Sequence, residues 1–320
     1  MKFSVIIPVF NRPDELRELL HSLTKQSFAD FEIVVIEDGS TIDSKKVITS
    51  FDALLQLSYL VQANTGQGFA RNNGMKISKS EFFVILDSDV ILPKDYLQEL
   101  ARAIDIRNID AFGGPDAADK DFSALQKAMD FAMTSFWTTG GIRGKMKDPS
   151  KYQARGFNMG VSRKVFEATG GFVDPNQGED IEWSIRIKKA GFKLELVKDA
   201  FVYHKRKNTL TSFAKQAFSF GRNRVNVSRF HPGAIKLVHW LPTAFLLFSL
   251  SIPFFFFVNK LLFLLSTGVF IIWSVGVIIS SAVQNKSAKV GILSWFTSVL
   301  QLWSYGLGLP LELFRKYVKG

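Results

Sequence analysis

From Val238 onward the chain is almost free of charge, and this constrains its fold more than any other feature. The runs Val238–Val258, Leu261–Gln284 and Val290–Leu311 contain no Asp, Glu, Lys or Arg. A helix needs roughly 20 apolar residues to cross a hydrocarbon core, and each run reaches that length. Residues 237–320 are therefore expected to form two or three transmembrane helices. The link Asn259-Lys260 is so short that the first two runs should make a tight hairpin. The last run carries Gly306, Gly308 and Pro310, which leaves an interfacial or re-entrant course open. Three full spans would also carry Arg315, Lys316 and Lys319 away from the soluble part, against the preference of basic residues for the cytoplasmic side.

The net charge of +11 is concentrated just before these runs. Between Phe201 and Lys236 stand Lys205, Arg206, Lys207, Lys215, Arg222, Arg224, Arg229 and Lys236, with no acidic residue. Such a patch beside membrane segments suits anionic lipid better than nucleic acid, so no nucleic-acid partner is expected. Phe213, Ala217 and Phe220 fall at helical spacing, and residues 206–236 read as a basic, amphipathic, interfacial segment. Arg222 and Arg224 are candidates to meet a lipid phosphate, although general attraction to the membrane surface explains them as well. With no cysteine, disulfides and thiolate metal sites are excluded. Val5-Ile6-Ile7 is too short for a signal-peptide core. The expectation is a multi-pass inner-membrane protein with its soluble domain in the cytoplasm.

Residues 1–205 alternate strand-like and helix-like patterns. Phe3–Val9 reads as a buried strand, Pro13 opens a helix with Leu16, Leu19, Leu20 and Leu23 on one face, and Phe31–Ile36 is the next strand. A weaker strand at Leu57–Val61, a helix at Phe69–Ile77 and a strand at Phe82–Leu86 follow. This alternation predicts βαβ units and a mostly parallel α/β sheet. Ligands bind beyond the carboxyl ends of such strands. Three polar clusters stand there: Pro8–Arg12, Glu37–Ser40 and Asp87–Asp89. Further on, Lys145–Lys151 reads as a loop, a helix starts near Ser162, and another runs from Ile181 to a Gly191 cap.

Asp87 and Asp89 are two apart, so in extended backbone their carboxylates face the same way. That suits Mg2+ or Mn2+, hard cations held by one or two carboxylates plus ligand phosphates. Taken alone, the pair is equally an acidic turn. Asp38 is a candidate acceptor for a nucleoside base or ribose, or part of a plain Asp-Gly turn. Arg71 is either a solvated helix charge or a guanidinium suited to a diphosphate. Trp183 is a candidate stacking surface for an acceptor sugar, or a packing residue.

Five segments together resemble the successive signatures of family 2 glycosyltransferases. They are Val5-Ile-Ile-Pro-Val-Phe-Asn11, Glu37-Asp-Gly-Ser40, Ala70-Arg-Asn72, Leu86-Asp-Ser-Asp89, and Gly170-Gly-Phe172 followed by Gly178-Glu-Asp180. The resemblance covers roughly residues 1–205 and implies an inverting enzyme of GT-A fold, followed by the membrane region. By resemblance, Pro8, Asn11, Asp38 and Arg71 would line the nucleotide pocket and Asp87 would approach nucleotide or sugar. Asp89 would hold a metal, His204 is a further candidate ligand, and Asp180 would be the catalytic base. Glu37 stands where the family more commonly has Asp. The function implied is metal-dependent transfer of a sugar from a nucleotide-diphospho-sugar to a hydroxyl of a lipid-linked or membrane-proximal glycan, in surface polysaccharide or glycoconjugate synthesis. A polyprenyl-phosphate glycosyltransferase is the second reading, and a non-catalytic, membrane-tethered nucleotide-sugar-binding protein the third.

Overall fold

The computed structural model describes residues 1–117, 122–140, 148, 152–204 and 209–318, with His204 defined by its backbone alone. Apart from Asp148, the Lys145–Lys151 segment lies outside the described residues. The chain divides into two compact units, residues 1–119 with 146–205, and residues 120–145 with 206–320.

The first unit is a seven-stranded sheet between helices. β1 (Phe3–Val9), β2 (Phe31–Asp38), β3 (Leu57–Gln62) and β4 (Phe82–Leu86) come first, with β5 (Val90–Ile91), β6 (Ala111–Gly113), β7 (Asp116–Ala117), β8 (Asn158–Ser162), β9 (Leu194–Leu196) and β10 (Val202–His204) following. The strand order is β3-β2-β1-β4-β8-β6-β9, while β5, β10 and β7 make a small second sheet. β1 pairs in parallel with both β2 and β4, and β8 runs antiparallel to both its neighbours. Burial on both faces explains the continuous apolar strands. Phe3, Val5, Ile7 and Val9 of β1 enter one core, with Phe82, Val84 and Leu86 of β4; Ile6, Phe83 and Ile85 enter the other. Helix α1 (Pro13–Leu23) covers the first core with Leu16, Leu19, Leu20 and Leu23. Helix α3 (Gln67–Ile77) covers the second, after the short α2 (Lys45–Thr49). Gly74 lets α3 approach closely, since a Cβ there would lie 2.6 Å from Ile6 Cγ2. The first unit is completed by α4 (Tyr96–Arg107), α7 (Arg163–Thr169) and α8 (Glu179–Lys189).

The second unit is helical: α5 (Ala124–Thr134), α6 (Phe136–Thr139), α9 (Leu210–Phe230), α10 (Leu241–Val258), α11 (Lys260–Asn285) and α12 (Ala288–Val318). Two helical stretches, Leu237–Val258 and Lys260–Asn285, are long and apolar enough to cross a membrane. Segment 120–145, which the sequence placed with the first domain, falls in the second unit. The reason is apolar contact: Met129, Ala132 and Met133 of α5 cluster with Phe213 of α9 and Leu300 of α12.

The basic segment also departs from expectation. α9 does not turn its apolar side outward, because α12 covers it. Phe213, Ala217, Gly221 and Val225 are buried, and a Cβ at Gly221 would collide with Tyr305 O and lie 2.9 Å from Leu309 N. Arg222, a candidate for lipid phosphate, donates instead from Nε to Glu312 at 2.8 Å, and Arg229 reaches the same carboxylate at 3.3 Å.

Candidate active site

Because β2, β1 and β4 are neighbours, their carboxyl ends lie side by side, with Val9 in register with Glu37 and Ile6 with Ile85. Pro8 is buried in β1, beyond the last β1–β4 pair, where a missing N–H costs no ladder bond to that neighbour. Asn11 has a positive φ of 54° and orders the loop after β2. Its Oδ1 accepts from the Thr41 and Ile42 amides at 2.8 and 2.9 Å. Glu37 accepts from the Ser44 amide at 2.8 Å and from the Tyr59 hydroxyl at 3.0 Å.

Asp38 spends most of its carboxylate on the turn that opens α3. Oδ1 accepts from Gln62 Nε2 at 2.8 Å and Thr65 N at 2.9 Å, and Oδ2 from Gly66 N at 2.9 Å. Gly39 has φ 74°, and a Cβ there would come within 2.5 Å of Asn64 N, so the Asp-Gly turn is also a close backbone approach. The turn-forming reading of Asp38 is thus the one its hydrogen bonds display.

The acidic turn after β4 is held by two arginines. Arg71, only 1% exposed, donates from Nη2 to Asp87 at 2.7 Å and from Nη1 to Glu179 at 3.1 Å, with Phe172 stacked 5.4 Å from its guanidinium carbon. It is not a solvated helix charge: each terminal nitrogen is engaged by a carboxylate in a closed setting. Gly156 fits beside it; a Cβ there would lie 2.7 Å from Arg71 Nη1. Burial opposes the charge on Arg71, but Asp87 and Glu179 outweigh it and its pKa is raised. Asp89 takes a different cation, Arg12 Nη1, at 2.5 Å. Asp87 and Asp89 are thus separated by the turn and engaged by different guanidiniums.

Asp180 stands one residue inside α8, whose N-terminal residue before the helix is Gly178 with φ 83°. It is not the helix cap. Its Oδ1 accepts from its neighbour Ile181 N at 2.7 Å, and its Oδ2 from Gly156 N at 3.1 Å, which fixes the carboxylate beside the Arg71 network. Glu179 is buried and also accepts from Gln67 Nε2 at 2.8 Å. Burial, then repulsion by Asp180, pushes its pKa up to about 7, against the attraction of Arg71. Trp183 is a packing residue: it is fully buried, tilted on Phe172 at 4.5 Å, and donates to Thr169 Oγ1 at 2.7 Å. His204 is in register with Val90, the residue after Asp89, but its side chain lies outside the described residues.

Among the described residues no group of three or more His, Cys, Asp or Glu is gathered for a metal. What stands at the edge is Asp89, already holding a cation in the form of Arg12, with Asp87 two residues away. One or two carboxylates, completed by phosphate oxygens, is how Mg2+ is commonly held. The residues therefore fit a hard divalent cation that arrives with a diphosphate.

The sheet order and the acidic turns at its carboxyl edge define a GT-A-like protein with a helical C-terminal region. Residues 4–170, just over half of the chain, match the profile of Glycosyl transferase family 2, and the chain belongs to that family. Over 114 residues it is 38% identical to the poly(ribitol-phosphate) beta-N-acetylglucosaminyltransferase TarS of Staphylococcus aureus, covering 34% of this chain and only 20% of that one. It is 25% identical over 231 residues to glycosyltransferase AglE of Haloferax volcanii, covering 70% of this chain and 73% of that protein. In structure it resembles the mannosyltransferase PcManGT of Pyrobaculum calidifontis, solved with GDP-Man and Mn2+, at TM-score 0.68 and 17% identity over 93% of this chain and 87% of that one. At that identity the likeness concerns the fold.

The sequence left two site residues without a role: Arg12, which ends the first polar cluster, and Glu179, which precedes Asp180 in its motif. Arg12 and Asp89 are 77 residues apart, and Glu179 and Arg71 are 108 apart, so no local pattern pairs them.

Proposed function

We propose that the chain transfers a sugar, with inversion, from a nucleotide-diphospho-sugar to a hydroxyl of a lipid-linked or membrane-proximal glycan. The observation that carries this is the Asp87–Arg71–Glu179 bridge with Asp180 fixed beside it, at the edge where a parallel sheet binds ligands. The relatives support it: TarS is by name an N-acetylglucosaminyltransferase, and PcManGT was solved with GDP-Man and Mn2+.

In this reading the turn shaped by Asp38 and Asn11 seats the nucleoside, with Pro8 in the wall. Arg71 holds Asp87 toward the donor and is a positioning residue. Asp89 would hold Mg2+ or Mn2+ together with the diphosphate, and the bound ion would supply Lewis acidity to the leaving nucleoside diphosphate. Asp180 accepts the proton of the acceptor hydroxyl as the bond to the anomeric carbon forms and the bond to the diphosphate breaks. Its hydrogen bonds from the Ile181 and Gly156 amides keep it aimed. Glu179, which holds its proton up to near neutrality, limits the negative charge beside Asp180. The requirement for a base favours a hydroxyl over a phosphate acceptor. Residues Leu237–Val258 and Lys260–Asn285 anchor the enzyme in the inner membrane, with the first unit in the cytoplasm.

The test is turnover of purified full-length protein with UDP-glucose, UDP-GlcNAc, UDP-galactose and GDP-mannose, each with and without Mn2+, on membrane glycolipid extract. Metal-dependent release of nucleoside diphosphate from one donor is expected. No release from any donor, with nucleotide still bound, would support a binding protein instead.

A further inference from the structure

Helices α10 and α11 form the expected hairpin. Phe256 meets Phe263 at 5.3 Å near the tip, and Phe245 meets Trp273 at 4.7 Å toward the open end. Helix α12, the third apolar run, does not continue this pattern. Its early residues meet the last part of α11: Ser294 shares a hydrogen bond with Ser281 at 2.6 Å, and Trp295 Nε1 donates to Ser274 Oγ at 2.8 Å. Residue 306 lies about 27 Å further along the helix than residue 288 at 1.5 Å per residue. A third span descending beside the hairpin would by then have reached its tip. Gly306 instead sits at the start of α10: Thr243 Oγ1 donates to Gly306 O at 3.0 Å, and a Cβ at Gly306 would lie 2.6 Å from Pro242 O. Trp303 Nε1 donates to Ser249 Oγ, also in the first half of α10, at 2.9 Å. α12 therefore crosses the half of the hairpin away from its tip.

The face it leaves uncovered is the apolar one. Ile292, Phe296, Trp303, Leu307, Leu311 and Phe314 are exposed, and on a helix they fall within about 100° of arc, the width of a stripe meant for burial. The opposite face, with Gly291, Ser294, Thr297, Ser298 and Glu312, is buried against the rest of the unit. Lipid is the occupant indicated by what surrounds the stripe. Two helices long and apolar enough to cross a bilayer adjoin it. Trp137, Trp273, Trp295 and Trp303 make their indole hydrogen bonds in the half of the hairpin away from its tip, whereas the tip carries phenylalanine and leucine. Tryptophan with one wet edge belongs at the membrane–water boundary. Basic residues Arg222, Arg229 and Arg315, all on Glu312, collect at the far end of α12.

We propose that α12 is not a third span but an in-plane helix that lays its Ile292–Phe314 stripe on the bilayer surface, so that the protein has two spans and the C-terminus lies on the same side as α9. The tension between three spans and the basic residues at the C-terminus then disappears.

The absence of cysteine makes the test direct. Full-length Lys236→Cys, Asn259→Cys and Tyr317→Cys variants in sealed spheroplasts are treated with a membrane-impermeant maleimide, before and after lysis. Residues 236 and 317 should behave alike and 259 oppositely; labelling of 317 together with 259 overturns the proposal. Independently, a bimane on Leu307→Cys in proteoliposomes should be quenched more by lipid nitroxide near the headgroup than by nitroxide near the chain end. Stronger quenching from the chain end means a span, and none from either means a protein-covered stripe. Either result refutes the in-plane helix.

Discussion

Replacing Glu179 by Gln should flatten the dependence of stability on pH in the first unit. Burial and Asp180 raise the Glu179 pKa from 4.5 to about 7. Between those values the folded protein retains a proton that the unfolded chain releases. Stability therefore falls as pH rises through that window, and the stabilisation present below the unfolded value is gone above about 7. A pKa that moves by one pH unit is worth ~1.36 kcal/mol, so the change is on the order of 3 kcal/mol. For a unit of this size that corresponds to roughly 10 °C in Tm. The glutamine side chain keeps an amide oxygen for the Arg71 and Gln67 donors and has no proton to lose. The assay is thermal unfolding of both proteins in detergent at a series of pH values from 4 to 8, read by the fluorescence of Trp183, with the other tryptophans replaced by Phe in both backgrounds. Titrations elsewhere in the chain are common to both and cancel in the difference. Parallel Tm–pH curves would show that the proton is not on Glu179, and that Arg71 satisfies two ionised partners throughout.

Asp180→Asn should reduce turnover by at least about 10^2-fold, on the scale typical of a lost general base, while isothermal titration shows UDP or GDP bound as in the parent; unchanged turnover would remove Asp180 from the chemistry. Chelation should abolish transfer, and added Mn2+ or Mg2+ should restore it. Arg12→Ala removes a cation that competes for Asp89; a part-exposed pair is worth at most about 1 kcal/mol, so Mn2+ binding without nucleotide, followed by electron paramagnetic resonance, should tighten up to about five-fold. Gly221→Leu forces α9 away from Tyr305 and Leu309, and should lower the second unit's melting temperature in detergent while leaving nucleotide binding by the full chain intact.

The parts of this molecule that could be read from sequence are those where one periodicity has one cause. β1, β4 and α1 were legible because their apolar residues are buried by the sheet and its covering helices, at spacings that fit only one element. Short strands such as β6, β9 and β10, of three residues each, carry no such signal; their pairing comes from partners far along the chain. α9 illustrates a different limit. Phe213 and Ala217 announce a face to be covered, but the pattern is the same whether lipid or α12 covers it. Gly221 on α9 and Gly308 on α12 were the available clue, since bare backbone lets two helices approach closely. In the site, the acidic turns were visible and their partners were not. Asp38 reads alike as a ligand acceptor and as a turn former because an Asp-Gly step at a strand end fits either, and its hydrogen bonds display the turn.

Four carboxylates, Asp87, Asp89, Glu179 and Asp180, stand at the candidate site in company with two guanidiniums, Arg12 and Arg71. The two arginines are not equivalent. Arg71 is fully enclosed, bridges Asp87 and Glu179 and rests on Phe172, so moving it would break both bonds inside a closed setting. Arg12 has one such partner and more than a third of its side chain in solvent. On the proposed function a diphosphate would bring further negative charge to this edge, and a divalent cation at Asp89 would compete with Arg12 for the carboxylate. Of the two, Arg12 yields at the smaller cost. On the proposed function the site would keep one arginine as architecture and one as an exchangeable counter-ion to an edge rich in carboxylates.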